Sequence, residues 1–285
     1  MQQHSQYPGI RDPGLTDSQL DLVTSFIEST EVPWALAVKY LACVDYDLAA
    51  ALSRYKQCEA FLKDHGLRPR PDSTAALIHY LNVALFYIPG TCDKAGASIF
   101  VFNARYYVSD VAGQRRMIKL LTYICDKAAN DEATRRNGVV LISNLQGLDR
   151  KYGVLELHRL ILQLLEYCLP IRVVRMLVVN APWWTQKLSA MWKPGVCENG
   201  TLSTEMSICN DLSEHIDPSQ IPRELGGSLS YKWREFVADQ LETEAAGHEE
   251  QLVDVDLFET EQLSPTPRSS AQAFSFAQRA EGGST

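Results

Sequence analysis

Apolar residues recur at Leu20, Val23, Phe26 and Ile27 behind the pair Thr16 and Gln19. Spacings of three and four put them on one face of a helix, and a Thr with a Gln three residues on is the reciprocal N-terminal cap. The stretch from Pro33 to Gly66 opens on a proline suited to a first turn and repeats Trp34, Val38 and Leu41, then Leu48, Leu52 and Tyr55. Residues 16–67 are therefore predicted to form a small helical module. RPRP (68–71) follows as an extended connector, since each proline pushes the residue before it out of the helical region.

Beyond residue 75 the pattern alternates. ASIFVFNARYY (97–107) reads as a strand, and GQRRMIKLLTYICDKAAND (113–131) as a helix with Met117, Leu120, Leu121, Ile124 and Ala128 on one face. GVVLISNLQG (138–147) is a buried strand between glycines, GVLELHRLILQLLEYCL (153–169) a helix, and IRVVRMLVVN (171–180) an apolar strand that Pro182 breaks. Near-continuous Val, Ile and Leu runs separated by helices predict an α/β fold with parallel strands covered by helices. In WWTQKLSAMWK (183–193), Trp184, Leu188, Met191 and Trp192 share one helical face, and Gln186, Lys187 and Lys193 take the other. Trp beside Lys suits a membrane interface, where indole sits among headgroups and ammonium meets anionic lipid.

Composition narrows the class. A chain of 285 residues, 46% hydrophobic, holds one domain of roughly 200 residues with a real core, plus extra segments. Seven cysteines without a C-x-x-C pair predict reduced thiols in an intracellular, cytoplasmic protein, with neither a disulfide framework nor a metal site. The first residues lack an apolar signal core, and no run of eighteen apolar residues exists to span a membrane. The net charge of −8 is uneven: residues 235–285 carry eleven acids against two bases, which leaves the body at +1. That composition predicts a disordered acidic tail over 240–285, matched by a disordered stretch at 1–15. No cluster of cations with interleaved aromatics points to nucleic acid.

Candidate catalysis is absent from the sequence. It holds no G-x-G-x-x-G, no phosphate-binding loop, no G-x-S-x-G and no H-E-x-x-H, and no Cys precedes an Arg at the spacing of a tyrosine-phosphatase nucleophile loop. His158, within a helical face, reads as a packing or surface residue. The chain is expected to be neither an enzyme nor a cofactor carrier.

The ordered segments DYDLAAALSRY (45–55), DKAGASIFVFNAR (93–105), RNGVVLISNLQG (136–147), PIRVVRMLVVNAP (170–182), WKP (192–194) and IPRELGGSL (221–229) resemble the CRAL-TRIO family of lipid-binding domains. Within it, WALAVK, GASIFVFNAR and EATRRNGVV are similar to domains that precede a tyrosine-phosphatase catalytic domain. The resemblance implies a helical module beside a lobe (72–232) whose mostly parallel curved sheet floors a lipid slot, closed by a gate after the N-A-P strand. Trp183, Trp184, Lys187, Leu188, Met191 and Trp192 would be the gate and its membrane contact. Period-two alternation puts Val139, Leu141 and Ser143 on one sheet face, and family alignment adds Phe100, Phe102, Met176 and Val178 as slot lining.

Departures from the family shape the expected ligand. Members that carry phosphatidylinositol place Arg-Lys before the Phe-Asp of the module, Glu-Arg at the start of the last long strand and Lys after the gate. Here the positions hold Val44-Asp45, Ile171-Arg172 and Ser203, so Arg172 is the surviving headgroup candidate. Members that hold phosphatidylcholine use hydroxyls where this chain has Val139 and Leu141. The expected ligand is thus a lipid or other hydrophobic small molecule with few polar groups, held by buried area and exchanged at an intracellular membrane. The alternative is an adaptor that addresses a membrane and recruits trafficking proteins through its tail. There, LVDVDLF (252–258) resembles a clathrin box, and its Asp-Leu-Phe end, Asp256 to Phe258, is similar to coat-adaptor motifs, which makes clathrin or adaptors the partner of Leu252–Phe258.

Overall fold

A computed structural model describes residues 14–67, 73–81, 84–148, 154–184, 205–231 and 233–248. The connector at 68–71, the gate residues from Lys187 to Trp192, Ser203 and the tail motif at Leu252–Phe258 lie outside the described residues. Helix α1 (Asp17–Thr30) begins at the expected capping box: the Thr16 hydroxyl accepts from Gln19 N, and Thr16 N donates to Gln19 Oε1 at 2.9 Å. Helix α2 (Trp34–Ala42) starts after Pro33, and α3 (Leu48–Asp64) is capped by Asp47 and ends before Gly66, which takes φ +64°. Phe26, Tyr40 and Tyr55 meet at centroid distances of 5.4 to 6.0 Å and centre a module core shared with Val23, Val38 and Leu41.

The lobe follows as α4 (Thr74–Leu81), β1 (Phe86–Tyr87), β2 (Ser98–Asn103), α5 (Val111–Ala128), α6 (Glu132–Asn137), β3 (Val139–Asn144), α7 (Val154–Tyr167), β4 (Val173–Val179), β5 (Glu205–Ile208) and α8 (Trp233–His248). The sheet order is β1-β2-β3-β4-β5, with β1 antiparallel to β2 and the other pairs parallel. All five residues expected on the α5 face are buried in the principal core. That core fills one side of the sheet. Ile99, Val101, Val140, Ile142, Leu177 and Val179 fill the other, beneath Cys209, Leu212, Ile216 and Ile221.

Several sequence-based boundaries need correction. Strand β2 stops at Asn103 because residues 104–106 turn into a 3-10 helix. The helix expected to 131 ends at Ala128, and Asp131 caps a separate α6 through Thr134 N at 2.8 Å. Gly138 then has to be glycine: φ is +77°, and a Cβ there would stand 2.6 Å from the Arg172 carbonyl. Strand β4 is not uniformly buried. Its register against β3 shifts between Val139 and Val140, so Val174 is an extra, 36% exposed residue, and Val173 and Met176 both reach the principal core. The acidic tail was expected from residue 240, yet 240–248 belong to α8, where Val237 and Leu241 pack on the core and Glu244 bonds to Thr74 and Lys127.

Module and lobe are joined by polar groups. Arg54 of α3 donates to the carbonyls of Leu165, Glu166, Leu169 and Ile171, closing the C-terminus of α7 and the approach to β4. Lys39 of α2, 4% exposed, donates to the carboxylate and the carbonyl of Asp126 at 2.6 and 2.9 Å. Burial lowers the Lys39 pKa, against the opposing pull of Asp126.

Candidate functional site

Parallel pairing aligns Phe100 with Leu141 and Met176, and Phe102 with Ser143 and Val178. Paired residues point to the same face, so the expected slot lining comes together on one side of the sheet, with Val139 beside Val173. Six of the seven belong to the principal core with Met117 and Leu121 of α5 and Ile161 and Leu165 of α7, and Ser143 supplies a hydroxyl. The Phe86 and Phe102 rings meet at 4.8 Å. All seven residues are 0 to 1% exposed, so this face is closely packed. A ligand reaching it has to displace side chains that now cover it.

The sheet has two unlike ends. At its base, where β3 and β4 begin, Arg172 Nη1 donates to both carboxylate oxygens of Asp45, at 3.3 and 3.4 Å, and Nη2 donates to the Arg136 carbonyl at 2.5 Å. The structure thus brings together two positions that the resemblance assigns to headgroup recognition, but Asp45 supplies an acid where phosphatidylinositol carriers have a base. Nearby, Glu132 pairs with Arg136.

At the rim, where the parallel strands end, three asparagines form a ladder. Asn144 Nδ2 donates to Asn103 Oδ1 at 3.0 Å, and Asn180 Nδ2 donates to Asn144 Oδ1 at 2.9 Å. Asn103 and Asn144 are 1 and 2% exposed, which makes their mutual satisfaction necessary. Asn180 takes φ +52°, a backbone that Asn tolerates better than most residues. The strand therefore ends at Val179, and Asn180 turns the chain two residues before Pro182. Asn103 also donates to the Ala84 carbonyl at 3.1 Å. Glu224, from the IPRELGG segment, accepts from the Tyr87 hydroxyl at 2.5 Å and pairs with Arg105 at 3.4 Å. Burial, and then that contact, pushes the Tyr87 hydroxyl far up. Of the two described gate residues, Trp184 packs against the principal core and Trp183 is 68% exposed.

The ladder and Arg54 were not among the residues singled out from sequence. An Asn closes each of the three apolar runs, in VFN, ISN and VVN, and that repetition is a readable signal. Among the described residues no group of His, Cys, Asp or Glu could hold a metal ion, and no helix is long and apolar enough to cross a membrane.

The described residues build an α/β lobe with a mostly parallel sheet, helices over one of its apolar faces and a helical module alongside. The chain belongs to the CRAL/TRIO domain family, whose model matches residues 81–227. A CRAL/TRIO domain is a non-catalytic domain that binds lipids or other hydrophobic small molecules. Curated relatives include tyrosine-protein phosphatase non-receptor type 9 of Homo sapiens, 25% identical over 229 residues, or 75% of this chain. The Mus musculus and Rattus norvegicus proteins of that name are 26% identical over 237 and 239 residues. The chain spans 38% of the length of each relative.

Proposed function

We propose that this protein binds a largely apolar lipid over the face of Phe100, Phe102, Val139, Leu141, Ser143, Met176 and Val178, and exchanges it transiently with an intracellular membrane at the rim of the sheet. The observation that carries this reading is the chemistry of that face: six apolar side chains and one hydroxyl, with no charged group among them. Such a lining favours a sterol-, terpenoid- or acyl-type ligand held by burial at about 25 cal/mol per Å². A phosphoinositide headgroup is disfavoured, because Arg172 already donates to Asp45 and Arg136. Trp183, Trp184, Lys187, Leu188, Met191 and Trp192 serve membrane contact and gating in this reading. Native mass spectrometry of the protein purified from cells tests it. A stoichiometric hydrophobic adduct that organic solvent releases is expected. Loss of the reading follows if no adduct is found and the stripped protein takes up neither sterol nor fluorescent acyl lipid saturably.

A further inference from the structure

The large hydrophobics left exposed among the described residues are Ile78, Tyr106, Val108, Val111, Val174, Trp183 and Ile208. Four of them gather at the rim: Tyr106, Val108 and Val111 follow the end of β2, and Trp183 follows the end of β4. Strands β2 and β4 flank β3, so their ends stand about 10 Å apart, two strand spacings. The asparagine ladder holds all three ends together.

The segment between β2 and α5 is built to keep its apolar residues outward. Tyr107 is 4% exposed and anchored in the principal core, which turns its neighbours Tyr106 and Val108 toward solvent. Gly113 lies so close to the Val108 carbonyl that a Cβ would stand 1.9 Å from the oxygen. Asp110 caps α5 by accepting from Gly113 N at 2.6 Å. Val111, 68% exposed, therefore sits in the first turn of a fixed helix, a position where a polar residue would serve the fold equally well.

Charge completes the pattern. From Val111 to Lys119, α5 carries Arg115, Arg116 and Lys119 and no acid, and the cap residue Asp110 just ahead stands 4.0 Å from Arg116, which leaves two of the three cations unopposed by it. Arg115 lies one turn, about 6 Å, behind Val111 along the helix. Arg105 stacks 4.7 Å over the Tyr106 ring. Apolar tips leading and cations one turn behind match a bilayer interface, in which side chains sink about 5–10 Å and phosphates lie above them.

We propose that Tyr106, Val108, Val111 and Trp183 form a rigid apolar wedge that seats this rim in an anionic lipid surface, with Arg115, Arg116 and Lys119 meeting lipid phosphates. This rests on the lipid-carrier reading only for its purpose. The wedge itself is a property of the surface.

Flotation of the full chain with vesicles of phosphatidylcholine, with and without phosphatidylserine, is the test. Binding that rises with phosphatidylserine is expected, with V108D and V111D each lowering partition roughly tenfold and the double variant abolishing it. An acid at residue 111 suits the first turn of a helix, so V111D should fold with an unchanged Tm. Uptake of a fluorescent lipid from detergent micelles should persist in both variants. Folded V108D/V111D that floats like the wild type overturns the proposal, as does wild-type binding indifferent to phosphatidylserine. A dimer in solution that V111D dissolves would assign the wedge to a second copy instead, and overturn it too. If uptake fails in every form while flotation follows the expected order, the carrier reading falls and the wedge stands.

Discussion

The base and the rim of the sheet satisfy their buried polar groups by opposite means. At the base, ionic side chains do it: Arg54 on four carbonyls, Lys39 on Asp126 and Lys127 on Glu244, with the exposed pair Arg172–Asp45 beside them. At the rim, neutral amides do it for the strand ends, with the Glu224–Arg105 pair beside them, and the residues beyond the ladder turn apolar groups outward. Charges that hold the module to the lobe are consumed by that task and are poorly placed to receive a ligand. Neutral amides fix the strand ends while adding no net charge.

The strongest way to break the comparison is at Arg54. Arg54→Met keeps the stem's volume but removes the guanidinium from four carbonyls, of which that of Leu169 retains Ile171 N at 2.8 Å, an expected loss of about 3–5 kcal/mol. The Tm should fall by on the order of 10 °C in calorimetry. A change under about 1 kcal/mol would show that water replaces the guanidinium, and that the base is not a structural joint.

Next is the ladder. Asn144→Leu keeps the number of side-chain heavy atoms and removes the link between Asn103 and Asn180, leaving the buried Asn103 oxygen without its donor, whereas the exposed Asn180 can turn to water; about 2–3 kcal/mol is expected by urea unfolding. Vesicle binding measured on the folded fraction should weaken as well, because Trp183 lies three residues past Asn180. Stability lost with flotation intact would separate the ladder from the rim's function.

These two predictions mark where the sequence was opaque. Helical spacing and caps revealed α1 and α3, and the α5 face was legible down to single residues, because those signals are local. That Val139, Leu141 and Ser143 share a face was legible through strand alternation. Arg54 was not, since its partners are backbone carbonyls more than 110 residues away, and a carbonyl has no residue identity. The Val174 bulge was hidden for a related reason: it exists only relative to β3. Helix α8 was mistaken for tail because its acids looked purely solvated, whereas Glu244 folds back on α4. The strand register sets Phe100, Phe102, Val139, Leu141, Ser143, Met176 and Val178 on one face, and their close packing depends on helices whose positions no period reports.

A third prediction concerns that fold-back. Glu244 accepts from Thr74 N at 2.9 Å, Thr74 Oγ1 at 2.7 Å and Lys127 Nζ at 2.8 Å. Burial alone would raise its pKa, but the bonds from Lys127 and Thr74 outweigh it and hold the carboxyl below its ordinary value of 4.5. A folded pKa below the unfolded one means the stabilisation is fully present above the unfolded value and is lost as pH falls through the folded one. Acid unfolding followed below pH 4.5 should therefore steepen in the wild type and flatten in Glu244→Gln. At neutral pH the variant should lose about 1–2 kcal/mol. Parallel pH curves would mean that α8 is held by Val237 and Leu241 alone.

The smallest expected effect on stability lies at Asp45, and it probes the base most directly. Asp45 takes φ +52°, so Asn is the substitution that removes its charge while tolerating that backbone. Its side chain is 83% exposed and that of Arg172 is 37% exposed, which leaves their ion pair well screened; Asp45→Asn should not shift the Tm measurably. Its consequence should appear in anion binding. Titration of the wild type with inositol hexakisphosphate should give no saturable binding at micromolar concentrations, because the carboxylate 3.3 Å from Arg172 repels a phosphate and occupies its donor. Removing that carboxylate should produce weak, salt-sensitive binding, since a single freed guanidinium still lacks the paired cations a tight headgroup site requires. Tight binding by the wild type would mean that the base is a receptor after all. A large loss of stability in Asp45→Asn would instead place this exposed pair among the joints with Arg54, and erase the distinction between charges that hold the fold and charges that merely cancel.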